Sequence, residues 1–167
     1  IDLPFQKIDN HFISLENKFF LNKNEFFLTI GQTFNRLQEF EETVDESALD
    51  MKLNNSVYNL KWKLKLNDNV SLISGTQGML QQNTNNPVAE EQLIPDAQTF
   101  DIGAYSLISS SYKKWRIQAG ARIDNRNLKT LDSAAFSADY LSLNYSAGFA
   151  RLSKNTTIRA NVATGFR

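Results

Sequence analysis

The sequence predicts an all-β fold, an antiparallel up-and-down transmembrane β-barrel of about eight strands. Three observations point there. Apolar and polar residues alternate with period two, the connections alternate between short and long, and basic residues keep to one side of the best-defined strands.

The alternation is clearest from Trp115 to Asp124. Odd positions read Trp, Ile, Ala, Ala, Ile, and even positions read Arg, Gln, Gly, Arg, Asp. A strand turns successive side chains to opposite faces, so one face is apolar and the other polar or small. A helix would mix Arg116 and Arg122 with Ile117 and Ile123. Leu141, Leu143, Tyr145, Ala147 and Phe149 likewise oppose Tyr140, Ser142, Asn144, Ser146 and Gly148. The end of the chain sets Thr156, Ile158, Ala160, Val162, Thr164 and Phe166 against Thr157, Arg159, Asn161, Ala163, Gly165 and Arg167. Tyr58, Leu60, Trp62, Leu64 and Leu66 oppose Asn59, Lys61, Lys63 and Lys65. Less regular strands are read at about 5–20, 25–36, 70–83 and 99–112.

Short polar turns are predicted at Asn22-Lys23-Asn24, Asn67-Asp68-Asn69, Lys113-Lys114 and Ser153-Lys154-Asn155. Longer connections fall at about 37–48, 84–98 and 129–138. Tight turns on one side and long loops on the other are the habit of membrane barrels. Ten residues rise roughly 33 Å, or about 24 Å at a 45° tilt, close to the apolar height of an outer membrane. Within it, a lipid-facing Arg or Lys at mid-depth costs about 2–4 kcal/mol. Lys61, Lys63, Arg116, Arg122 and Arg159 all take the other face. Trp115, Tyr112, Phe19, Phe20, Phe26 and Phe27 stand at strand ends beside the short turns, where an interfacial aromatic girdle is expected.

Composition narrows the function. The 167 residues carry 18 Lys+Arg and 18 Asp+Glu, so net charge implies no nucleic-acid partner. Cysteine is absent, which removes disulfides, thiolate metal sites and cysteine nucleophiles. No apolar run reaches the roughly 20 residues of a spanning helix. The negative mean hydropathy does not oppose a membrane, because a barrel strand dilutes its apolar half with a polar one. Ile1-Asp2-Leu3-Pro4 has neither a basic nor an apolar leader character.

Several motifs then resemble the barrel of TonB-dependent outer-membrane receptors, in the style of the Bacteroidetes lineage. Pro4-Phe5-Gln6-Lys7-Ile8 and the run from Gly31 to Phe40 resemble a strand pair of that family. The run from Gly75 to Asn85, with Leu93-Ile94-Pro95-Asp96, is similar to its long-loop return into the next strand. Ile102-Gly103-Ala104-Tyr105, the run from Ala119 to Asp124, and Ala163-Thr164-Gly165-Phe166-Arg167 resemble further strands.

The resemblance implies a barrel of about 22 strands with a plugged lumen. Residues 1–167 would then be a partial barrel domain, with neither the plug nor the TonB-contacting segment. The implied function is nutrient uptake at the bacterial outer membrane, with a ferric siderophore or similar chelate favoured as cargo. The implied partners are outer-membrane lipid, the rest of the barrel and plug, the TonB complex and a small-molecule ligand. No nucleic acid and no cofactor are implied. Two rival readings stay open: a complete eight-stranded barrel with a structural or adhesive role, and a soluble β-sandwich binding module.

Site candidates are few. Arg116, Arg122, Arg159 and Arg167 share the polar side and could meet an anionic ligand or hold the plug. His11 is the single histidine and reads as an ordinary strand position. Glu39, Glu41, Glu42, Asp45 and Glu46 read as a solvated loop. Asn54-Asn55-Ser56 and Asn155-Thr156-Thr157 fit a glycosylation pattern that means little in a bacterium. No phosphate-binding glycine loop and no Ser-His-Asp set is present, so no enzyme is expected.

Overall fold

A computed structural model of the chain describes residues 2–131 and 136–165. Eight strands follow one another: β1 (Phe5–Leu21), β2 (Asn24–Phe40), β3 (Leu49–Lys65), β4 (Val70–Asn85), β5 (Ala97–Tyr112), β6 (Trp115–Thr130), β7 (Ser137–Leu152) and β8 (Thr157–Ala163). They form one sheet in chain order, each strand antiparallel to the next. The sheet is open: among the described residues β1 and β8 do not pair. A closed eight-stranded barrel is therefore not what this chain forms. Nor is it a sandwich, since among the described residues there is no second sheet to cover the apolar face.

The short turns tighten as expected. Asn22 and Lys113 take left-handed φ angles of 54° and 53° at the start of two hairpins, a conformation that Asn tolerates better than Lys. At the second short-turn site from the chain start, Asn67 Oδ1 accepts from the backbone N–H of Asn69 and Val70, both at 2.9 Å.

Most strands are longer than the alternation suggests. β3 begins at Leu49, well before Tyr58, and β6 runs to Thr130, well past Asp124. The register explains why. Phe34, Leu80, Phe100, Ile123 and Leu141 mark the loop-side limit of the apolar outer face. Beyond it the same face carries Arg36, Lys52, Asn54, Gln82, Gln98, Asn125, Asn127, Lys129 and Asp139. Hydrogen bonding continues through this polar collar, but the apolar-polar contrast does not. Seventeen residues at about 3.3 Å each extend roughly 55 Å, or about 39 Å along the normal at a 45° tilt. The strands thus project well past an apolar band of about 25 Å. β8 is the exception: it ends at Ala163, short of its expected span, and Phe166 lies outside the described residues.

The outer face has no protein to pack against. Ile117 is 54 % exposed, Val162 70 % and Leu141 71 %, whereas the only buried apolar residues among those described are Phe40 and Leu49. Lipid is the solvent that makes such a surface stable.

Four of the six residues expected in the aromatic girdle take the outer face, and two do not. Phe19, Phe26, Tyr112 and Trp115 stand on the outer face beside the short turns. Phe26 stacks on Trp62 at 6.1 Å, and the Trp62 indole N–H donates to Asn24 at 2.7 Å, an apolar body with a wet tip. Arg151 lies over the Trp115 ring at the same level. Phe20 and Phe27, however, point to the polar face, where Lys18 lies over both rings and Lys61 over Phe27. Neighbours in a strand cannot share a face, so each Phe-Phe pair supplies one girdle residue.

On the loop side, a clamp joins the first two long connections, residues 41–48 and 86–96. Arg36 grips the buried Asp50 carboxylate with two bonds of 2.8 and 2.7 Å. Asn86 donates its side-chain amide to Asp50 at 3.0 Å and its backbone N–H to the Asp50 carbonyl at 2.8 Å. Glu91 N–H reaches the Ala48 carbonyl at 2.8 Å. The returning Pro95-Asp96 segment is fixed by Asn83 and Asn85 before β5 begins.

Candidate functional site on the polar face

Residues paired across neighbouring strands share a face, so the register tests the predicted segregation of charge. One row runs Lys61, Gly75, Tyr105, Arg122, Asn144 across β3 to β7. Another runs Arg116, Ala150, Arg159 across β6 to β8. Lys61, Lys63, Arg116, Arg122 and Arg159 therefore lie on one side of a single sheet. Arg167 lies outside the described residues.

The structure separates these arginines. Arg122 donates to the Asp124 carboxylate, its same-face neighbour, with the Nε bond at 2.7 Å. With the Gln77 side-chain amide turned to present its oxygen, Arg122 Nη2 also donates to it at 2.7 Å. The guanidinium lies 5.9 Å from the Tyr105 ring centroid. Two glycines make this possible. A Cβ at Gly103 would collide with the Arg122 and Asp124 side chains, and one at Gly75 would meet the Tyr105 hydroxyl at 2.5 Å. Close by, Arg126 holds Asp101 with bonds of 2.7 and 2.6 Å. The surrounding depression, about 640 Å³, is lined by both ion pairs and Asn144. Charged groups are plentiful here but already matched within the chain.

Nearer the short turns of β1 to β3, Glu25 takes Lys18 at 3.0 Å and Lys63 at 3.6 Å. Arg116 and Arg159 line a second depression of about 700 Å³. His11 sits exposed on the outer face opposite Phe34. No group of three or more His, Asp or Glu side chains could hold a metal ion among the described residues.

Reading by residue missed Asp101, Arg126, Gln77 and Tyr105. The Asp101–Arg126 pair spans 25 positions, and only the β5–β6 register brings it together. Asp124 was visible on the polar face, two residues from Arg122, and that same-face spacing was the available signal.

An open sheet with an apolar outer band, a turn-side aromatic girdle and a polar inner wall of ion pairs is the wall of a transmembrane β-barrel. The chain belongs to the TonB-dependent receptor-like β-barrel family, whose profile matches residues 5–167. Its place is the bacterial outer membrane. No curated protein matches the sequence. Among solved structures, the unliganded ferric citrate transporter FecA is similar over 95 % of this chain, with 11 % identity and a TM-score of 0.68. The siderophore receptor PiuA from Acinetobacter baumannii is similar over 96 %, with 14 % identity and a TM-score of 0.69. The copper transporter OprC is similar over 95 %, with 10 % identity and a TM-score of 0.65. The chain spans 27 %, 32 % and 29 % of those three proteins. At such identities the likeness is one of fold.

Proposed function

We propose that this chain is a partial barrel domain contributing lumen wall and outer loops to a receptor that imports a scarce metal chelate, with a ferric siderophore or similar complex favoured. The observation that carries this reading is the polar inner wall. Its ion pairs and hydrogen-bonding groups face a lumen that a plug domain would fill and through which cargo would pass. Plug, TonB complex and ligand are the partners this reading supplies, together with lipid around the outer band. The cargo class is supported by the kinds of protein that share the fold, which include ferric citrate, siderophore and copper systems. No catalytic role is proposed; among the described residues the inner-wall charges Arg122 and Asp124, and Arg126 and Asp101, are held as ion pairs.

The test is uptake. Cells carrying the full-length receptor should accumulate radiolabelled iron supplied as ferric siderophore, and cells lacking it should not. Collapsing the proton-motive force should stop uptake. Accumulation that survives either treatment would sink the transport reading.

A further inference from the structure

The polar collar on the outer face differs in charge from the loops above it. The connections 41–48 and 86–96 carry Glu41, Glu42, Asp45, Glu46, Glu90 and Glu91. On β3 to β6 the collar has a single carboxylate, Asp50, and it is buried under Arg36 and Asn86. The other polar groups of that collar are carboxamides, a threonine hydroxyl and two lysines.

Four of these side chains stand in one register row: Asn54, Gln82, Gln98 and Lys129, on β3, β4, β5 and β6. None of the four has a hydrogen-bond, ionic or ring partner among the described residues. Lys52, two residues loopward of Asn54 on the same face, makes neither a hydrogen bond nor an ion pair among them, since Asp50 is already taken. Gln82 and Gln98 follow directly on Leu80 and Phe100, the last apolar residues of this face. Two residues advance about 5 Å along the normal at a 45° tilt, so the row stands at headgroup level on the loop side. Three strand spacings make it about 14 Å long. A single phospholipid phosphate would engage one lysine and leave the amides idle, whereas a headgroup of two or more sugars spans the row.

We propose that this row, with Lys52, seats the phosphorylated saccharide headgroup of an outer-leaflet glycolipid. The carboxamides donate to and accept from sugar hydroxyls, and Lys52 and Lys129, at opposite ends, meet phosphate oxygens. Acyl chains lie below, against Leu80, Phe100 and Ile123. Because no exposed carboxylate stands in the β3 to β6 collar, the phosphates bind lysine directly, with no divalent cation needed between like charges. The site requires only the outer-membrane barrel and is independent of the cargo.

The experiment uses the full-length receptor, purified in detergent, delipidated and verified as heat-modifiable barrel. Native mass spectrometry in EDTA follows the binding of three probes: a bisphosphorylated, acylated glucosamine disaccharide, its dephosphorylated form, and phosphatidylglycerol. Wild type should prefer the first over either other probe by roughly tenfold or more. K52Q/K129Q should lose the preference for the phosphorylated disaccharide over its dephosphorylated form. N54A/Q82A/Q98A should lose the preference for it over phosphatidylglycerol. The turn variant K154Q, on the opposite side of the membrane, should bind as wild type does. If the triple variant assembles poorly, N54A, Q82A and Q98A singly read the same ratio. Equal binding of the three probes by wild type, a need for added magnesium, or an unchanged preference in either set of variants would overturn the proposal. Failed iron uptake with the lipid preference intact would sink the cargo reading alone.

Discussion

The two halves of the sheet's outer surface differ more than their backbones do. On β6 the turn-side half presents Trp115, Ile117, Ala119, Ala121 and Ile123, and the loop-side half presents Asn125, Asn127 and Lys129. The ladder to β5 and β7 runs unbroken through both. The membrane boundary is therefore set by side chains, while the strand obeys only its hydrogen bonds. A change that is ruinous in one half should be trivial a few residues away.

The largest expected contrast is topological. Cysteines at Asp45 and Asn86 should react with an impermeant reagent on intact cells, and a cysteine at Asp68, in a short turn, should not. Labelling at all three, or at Asp68 alone, would invert or break the assignment of sides. Next comes Val162→Arg. Its row, Ala119–Ala147–Val162, is midway up the apolar band, so it should cost about 2–4 kcal/mol and deplete heat-modifiable barrel. Asn127→Arg, in the collar, should cost about 0–1 kcal/mol. Equal damage from the two would erase the boundary drawn here.

Asp50→Ala should cost about 1–3 kcal/mol, because it strands Arg36 and the Asn86 amide. The loss should show as faster protease cleavage in 41–48 and 86–96 on whole cells, with the barrel still heat-modifiable. Cleavage at the wild-type rate would mean the clamp does not hold the loops. The smallest effect belongs to Ile158→Arg. Alternation alone places Ile158 near mid-membrane, but the register sets it opposite Arg151, at the turn-side edge of the band. The cost there is about 0–1 kcal/mol, and Arg159→Ala should assemble equally well. A severe assembly defect in Ile158→Arg would move the lower membrane boundary toward the turns.

What was legible in the sequence was short-range. Alternation in Trp115–Asp124 revealed strand, face and charge segregation, because each depends on residues one or two apart. Whatever depends on register was hidden: the Arg126 bond to Asp101, the level of Ile158 beside Arg151, and the common row of Arg116 and Arg159. Strand ends were hidden for another reason. Lys52 and Asn54 look like loop by composition, yet pair with Thr84 and Gln82 as regularly as Tyr58 pairs with Gly78. Phe20 and Phe27 misled because aromatic residues beside a turn suit either the girdle or, with Lys18 above them, the inner wall.

The Asp50 clamp has a kinetic consequence. Asp50 and its backbone carbonyl hold Asn86 against β2 and β3, and the Glu91 N–H bond to the Ala48 carbonyl ties the second long connection to the first, so neither can open far while the other stays closed. Amide hydrogen exchange should then find the N–H groups of Asn86 and Glu91 released together, as one cooperative unit, and not as two independently fraying loops. A ligand that touched either connection would be felt by both, on the timescale at which that unit opens.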